Sequence, residues 1–227
     1  MRNSIGLGRR GLLTGLGCAA LAGPAAAVVR PGAPLPVPSD RRLAFRIVRN
    51  DSAIGSHVLT FSPMGNALVV RVVVDIAVKF GPITLYRYSH RAEERWEDAA
   101  VVSLDADTND DGTVSRTVVR RVTEGYSVEG RGVARYVAPP DSLPATHWNR
   151  RMLDGPMINT QTAELMRPVV TRVGASRVAF GAGTTTEADH FTLRGDADLD
   201  TWYDAGPAWV ALRFTAKDGS GIRYERV

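Results

Sequence analysis

The chain has 227 residues, 44% hydrophobic and 23% charged, with a net charge of +4. That length suffices for one domain with its own core. The basic excess belongs to the first 27 residues, where Arg2, Arg9 and Arg10 meet no acid; the remaining 25 basic residues face 24 acidic ones. A near-neutral remainder argues against a nucleic-acid partner, which needs a basic face.

Residues 1–27 read as a signal peptide of the twin-arginine type. Arg9-Arg10 precede Gly11-Leu12-Leu13, a small apolar run follows, and Ala25 and Ala27 fit a small-x-small cleavage site. A general secretory leader is the alternative. Either one predicts a periplasmic protein. Cleavage after Ala27 removes Cys18, the only cysteine, and leaves a chain that cannot form a disulfide. A lipid anchor at Cys18 is the less favoured alternative, because Gly15 stands where such a site carries a larger aliphatic residue. Past the leader no window approaches the ~18 apolar residues of a membrane span, so none is expected. Residues 28–40 (VVRPGAPLPVPSD) hold four prolines and predict an extended linker. Residues 41–227 then form the folded part.

Strand signals follow one another from there. Leu43, Phe45 and Ile47 alternate with Ala44, Arg46 and Val48; Asn50-Asp51-Ser52 turns the chain and Ile54 to Phe61 runs back, with Gly55 marking a bulge or close approach. Ala67 to Phe80 is the organising stretch. Its even positions, from Leu68 to Phe80, are all apolar, whereas Arg71, Asp75 and Lys79 fall on odd ones. That period of two predicts a long strand with one buried face. Gly81-Pro82 ends it, and Ile83 to Trp96 and Val101 to Ala106 continue in β character, separated by a turn at 97–100. Asp107 to Gly112 reads as a polar loop. Thr113 to Val122 and Tyr126 to Val137 form the next pair.

Pro139 to Pro168 differs. It predicts a short helix over His147 to Leu153 capped by Thr146, and a second over Asn159 to Met166. Met152, Met157 and Met166 lie here with Trp148. Strands resume at Val169–Val173 and Ser176–Phe180, and a meander through Phe191, Leu199–Tyr203, Trp209–Phe214 and Ile222–Tyr224 closes the chain. The fold class is mainly β: a single domain of curved antiparallel sheet, half-barrel or barrel-like, with one or two short helices as plug or lid.

The stretches WEDAAVVSL (96–104), LPATHWN (143–149), NTQTAEL (159–165), LDTWYDA (199–205) and Trp209 to Phe214 resemble a family of exported bacterial proteins of unknown function, over Phe45 to Tyr224. That family is similar in pattern to envelope proteins of the lipoprotein-carrier-like fold. The resemblance implies an apolar concave face under a plug, and it brings no catalytic residues. Ala99-Ala100 departs from the family pattern, where a glycine turn is usual.

No constellation in the sequence names a reaction, so no catalytic residue, metal or cofactor is assigned. Asp107-x-Asn109-x-Asp111-Gly112 opens like a calcium loop, but Val118 occupies the position of the bidentate glutamate, which favours a hairpin turn. His57, His90, His147 and His190 are scattered. The resemblance and the apolar stripe together assign a hydrophobic ligand to Val72, Val74, Ile76, Leu85, Trp148 and Met152, with plain core as the competing reading. The alternatives are a periplasmic hydrolase using His147 with Asp141 or Asp154, and a scaffold that binds an envelope protein along a strand edge.

Overall fold

In the computed structural model, residues 34–180 and 183–227 are described. The leader and the cleavage site lie outside the described residues, as does Cys18. The organising strand is β3 (Ala67–Phe80), with the bounds its alternation predicts. It pairs along its length with β4 (Ile83–Glu97) and, from Ala67 to Ile76, with β2 (Ser52–Met64). β5 (Ala100–Asp110), β6 (Thr113–Val122), β7 (Gly125–Gly130) and β8 (Val133–Ala138) continue the meander on one side. On the other side β2 pairs with β1 (Arg42–Arg49), and β1 takes as its partner the C-terminal strand β16 (Gly221–Arg226). β15 (Trp209–Thr215), β14 (Leu199–Tyr203), β13 (Thr184–Arg194) and β12 (Val169–Phe180) complete a sheet of thirteen strands. Its edges, β8 and β12, do not pair with each other. β12 instead makes one parallel bridge, Phe180 to Arg226, so the last five strands curl on themselves.

The concave face carries the main core. On β3, Val70, Val72 and Val74 are buried and Arg71 and Asp75 are exposed, as a half-buried strand requires. Outward residues pair across strands, Asp75 with Arg91 at 2.7 Å and Asp105 with Arg120 at 2.8 Å. Exposed pairs of this kind contribute ~0–1 kcal/mol each and chiefly fix register. A smaller core lies on the outer face near the curl, where Ala188, Trp202, Val210 and Ala211 pack with Val178 and Phe180.

Four expectations are corrected. Tyr126 to Val137 is not one strand, because Arg131-Gly132 turns it into β7 and β8. Val169 to Phe180 is a single strand that carries a bulge at Val173, next to Gly174. Asp107 to Asp110 belongs to β5, and only Asp111-Gly112 turns. The helices shrink to one five-residue 3-10 turn, Arg150–Asp154, capped by Asn149 rather than Thr146. His147 sits at φ 67°, outside the helical region, so no helix starts there. At 159–166 the Asn159 Oδ1 accepts from the backbone N–H of Gln161 at 2.9 Å, and this side-chain turn replaces a helical one.

Residues 139–168 therefore form an irregular plug. Its regular pieces are two-residue bridges, β9 (Leu143–Pro144), β10 (Met157–Ile158) and β11 (Leu165–Met166). Of the Pro-rich stretch, Leu35 and Val37 pack half-buried against the core, so that part is not a free spacer.

Candidate functional site

Register places side chains of the concave face in rows across the sheet. One row runs Phe45, His57, Val74, His90, Thr108 through β1 to β5. Another, nearer the turn between β2 and β3, runs Phe61, Val70, Glu94, Leu104. The interior is thus apolar with a few polar groups set into it, and the plug meets it at those groups.

Glu94 is fully buried. Its Oε2 accepts from the indole N–H of Trp96 at 2.7 Å, on the sheet, and of Trp148 at 3.0 Å, on the plug. The two indoles stand edge to face at 5.1 Å. Burial pushes the carboxyl above its usual range, while the neighbouring Thr146 hydroxyl and the two indoles pull the other way. Oε1 makes no hydrogen bond.

His90 lies between Thr108 Oγ1 at 2.8 Å and the plug's Thr160 Oγ1 at 3.3 Å. His57 has neither ring nitrogen partnered and stands edge-on to Trp209, while His147 stacks on the same indole at 5.1 Å. Burial lowers His57 to about 3, helped by the charges His147 and His90 would carry. Burial lowers His147 to about 4, and burial with the nearby Arg91 lowers His90 to about 4, against the pull of Asp107. All three imidazoles are neutral at pH 7. The carbonyl of His147 accepts from the Tyr203 hydroxyl at 2.9 Å. Neither Asp141 nor Asp154, both exposed, is hydrogen-bonded or ion-paired to His147, so the hydrolase constellation is not assembled in the described residues.

Of the residues assigned to a hydrophobic ligand, Val72, Val74, Trp148 and Met152 are buried together in the core cluster and Ile76 packs at its margin. They lie in the interior under the plug. Leu85 does not join them. It stands 61% exposed: the inward series of β4 runs through the even positions, so Leu85 faces outward, and it is the residue left unpaired where the register shifts opposite Val78 and Lys79. Asp107 and Asn109 lie in β5, and Asp111 lies in the turn that follows it. Asn109 Oδ1 accepts from the Gly112 N–H at 2.8 Å and so builds the turn. Among the described residues no group of three or more His, Cys, Asp or Glu is placed to hold a metal.

Open space lies at the margins. A recess of about 500 Å³ sits at the seam where the sheet fails to close, between the free strand β8 and the end of the plug. Val133, Tyr136, Leu165 and Met166 form its apolar walls, and Asn159, Glu164 and Asp196 are its polar members. A second recess of about 500 Å³ lies under the Pro-rich stretch, against Leu68 and Ala99. The seam leaves no mark in the sequence, because β8 meets Leu165 and Met166 at the far end of the plug and neither stretch is periodic enough to be paired by eye. Glu94 was legible in principle. It interrupts the inward series Tyr88, His90, Ala92, Glu94, Trp96 with a charge.

No curated protein matches this chain. A crystal structure described as a beta-barrel-like protein of domain of unknown function DUF1849 from Brucella abortus superposes with a TM-score of 0.57 at 9% identity, covering 82% of this chain and 94% of that one. At that identity the likeness is one of fold. A family profile, described as a domain of unknown function, DUF6134, matches residues 45–227, and the chain belongs to that family.

Proposed function

We propose that the protein is an exported, periplasmic binding protein without catalytic activity, and that its ligand is an amphipathic molecule of the envelope whose apolar chain enters at the seam. The observation that carries this is the seam itself. Thirteen strands leave one gap, and the gap is filled by plug rather than by strand. The recess there has the volume and the mixed lining of a small-ligand site, apolar walls with a few polar groups to orient a head. One wall, Leu165–Met166, is a half-buried two-residue bridge, and methionine repacks readily around varied partners. Export rests on the leader composition: replacing Arg9 and Arg10 with lysine blocks it if the twin-arginine route is used.

Two measurements test the binding reading. Native mass spectrometry of the protein purified from its own periplasm detects a co-purifying lipid. An environment-sensitive apolar dye then binds with a stoichiometry near one, and Val133→Trp or Met166→Trp, which fill the recess, weaken it about tenfold or more. Dye binding that survives both substitutions, with no co-purifying lipid, overturns the assignment.

A further inference from the structure

The hairpin of β3 and β4 is longer than its neighbours. β2 stops pairing with β3 at Ile76, and β5 stops pairing with β4 at Tyr88. Residues 77–87 therefore run on beyond the pairing of both flanking strands, about 13 Å for the four residues beyond Ile76, while Ser52 and Ala53 of β2 stay paired to β1. Their chemistry is unlike that of the two turns at the same end of the neighbouring strands. Asn50-Asp51 and Asp111-Gly112 are polar, whereas here Phe80 is 74% exposed, Ile83 59% and Leu85 61%. Phe80 and Ile83 face each other as the outermost pair, on either side of Gly81-Pro82. Lys79 and Arg87 are the only charges in 77–87. Two acids lie at the base of the tip: Asp110 accepts from the Tyr86 hydroxyl at 2.7 Å, and Asp111 accepts from the Arg87 backbone N–H at 3.3 Å.

We propose that this tip docks the protein on an anionic lipid bilayer, with Phe80, Ile83 and Leu85 in the outer acyl region and Lys79 and Arg87 at the phosphates. Large apolar side chains this exposed and this close together mark an interaction surface. Neither Lys79 nor Arg87 is ion-paired among the described residues, and Lys79 stands farther out than either acid, so the tip favours an anionic partner. The free edges of the hairpin limit the depth, because unpaired backbone groups are not tolerated in hydrocarbon. Entry is thus confined to the outermost residues, within the ~5–10 Å that interfacial elements reach. Lys79 stands one residue behind Phe80, where its stem can lie along the acyl boundary while the ammonium reaches water. A protein partner would instead add a strand to one of the free edges, and nothing in that mode calls for a basic collar. The inference concerns a surface separate from the seam, and either can fail without the other.

Among the described residues the core begins at Leu35, and the full chain is used beside one that begins at Val28, free of the apolar leader. Both are floated with vesicles of three parts phosphatidylcholine to one part phosphatidylglycerol, and with phosphatidylcholine alone. The expected result is recovery with the anionic vesicles, reduced at about 0.5 M salt. Phe80→Ser with Leu85→Ser, and separately Lys79→Glu with Arg87→Glu, each lower the bound fraction about tenfold or more without shifting the melting temperature. Phe80→Trp retains binding and is quenched by brominated acyl chains. Absence of flotation, binding indifferent to both pairs of substitutions, or an unquenched Trp at position 80 overturns the proposal. So does a concentration-dependent self-association abolished by the serine pair, which would make the tip a contact between copies of this chain.

Discussion

The sheet and the plug are built on opposite principles. In β2 to β5 nearly every residue has a cross-strand partner, apolar side chains repeat at every second position, and the outward face is locked by Arg–carboxylate pairs. The plug has three two-residue bridges, a single 3-10 turn, and two non-glycine residues at positive φ, His147 and Ala163. Its meeting with the sheet leaves polar atoms buried without partners: Glu94 Oε1, His147 Nδ1 and Asn149 Nδ2. Each such atom costs ~1–3 kcal/mol. A sheet holds itself together, whereas a plug is held by a few anchors. Those anchors are unequal: Trp148 is fully buried and hydrogen-bonded, while Leu165 and Met166 are half-buried.

The largest expected effect comes from removing the strong anchor. Trp148→Ala leaves a cavity against Phe61 and Trp96 and strips one donor from Glu94. Loss of a core tryptophan costs ~3–5 kcal/mol. Trp148→Phe keeps most of the volume, loses only the N–H, and should cost ~1–3 kcal/mol. The check is chemical denaturation of both variants, with amide exchange read across β3 and residues 159–166. If the anchors are as unequal as they look, exchange at 159–166 is already fast in the wild type, and Trp148→Ala lowers the protection of β3 as well. Equal, small losses for both variants would make the plug a detachable lid.

Acid probes the same junction next. His57, His90 and His147 are neutral when folded, with values lowered to about 3, about 4 and about 4 from an unfolded value of 6.5. The unfolded chain binds protons first, so stability is intact above pH 6.5 and is lost as pH falls toward 4, and toward 3 for His57. Each histidine contributes up to ~1.4 kcal/mol per pH unit in that window. His57 faces His147 and His90 rather than a carboxylate, whereas His90 is also under Arg91 and Asp107. His57→Gln should therefore flatten the fall in melting temperature between pH 6 and 4, whatever it does to stability at pH 7. A profile unchanged by that substitution would move the acid sensitivity elsewhere.

The two regions were also unequally legible. Ala67–Phe80 could be bounded from sequence because alternation and the flanking Gly65-Asn66 and Gly81-Pro82 all agree. β1 and β2 were readable for the same reason, but the pairing of β1 with β16 was not, since a closure across the whole chain leaves no local mark. The plug failed as a reading because its determinants are single contacts. Helical spacing around Met152 and Leu165 is overruled by the Asn159 side-chain turn and by parallel pairing of Leu143 with Met157. For the site, Trp148 and Met152 lie buried in the core cluster, whereas Tyr136 and Val133, which make the seam, carried no signal as site residues.

A smaller effect should follow at the point where plug meets β7. A methyl group added at Gly130 would clash with the Ala163 side chain. Ala163 is fully buried, and the Tyr136 hydroxyl donates to its carbonyl at 2.7 Å. Gly130→Ala must push this stretch outward, at ~1–3 kcal/mol. Because Ala163 leads into Leu165 and Met166, the same substitution should loosen the seam and raise apolar dye binding. A melting temperature lowered with dye binding unchanged would disconnect the seam wall from its support.

The smallest effect sets the two regions side by side at single residues. Ala99 and Ala163 both occupy the left-handed region, at φ 60° and 62°. Ala99 closes the two-residue turn between β4 and β5 with Asp98 at φ 49°, the double-positive geometry of a hairpin that prefers glycine at its second position. The corresponding turn between β5 and β6 has Gly112 there. The left-handed conformation costs an L-residue ~1–2 kcal/mol, and glycine returns ~0.5–1 kcal/mol of that as lost chain entropy. Ala99→Gly, on a half-exposed turn, should therefore stabilise by about 0.5–1 kcal/mol. Ala163→Gly relieves the same strain but also gives up a fully buried methyl packed against Gly130, worth ~0.8 kcal/mol. The two gains and losses nearly cancel, and the plug should gain nothing. Melting curves of the two variants at equal concentration decide it: a rise for Ala99→Gly alone means that the sheet's turns carry removable strain while the plug's strain is bound up with its packing, and a rise of equal size for both would show that the Ala163 methyl contributes little to holding the plug.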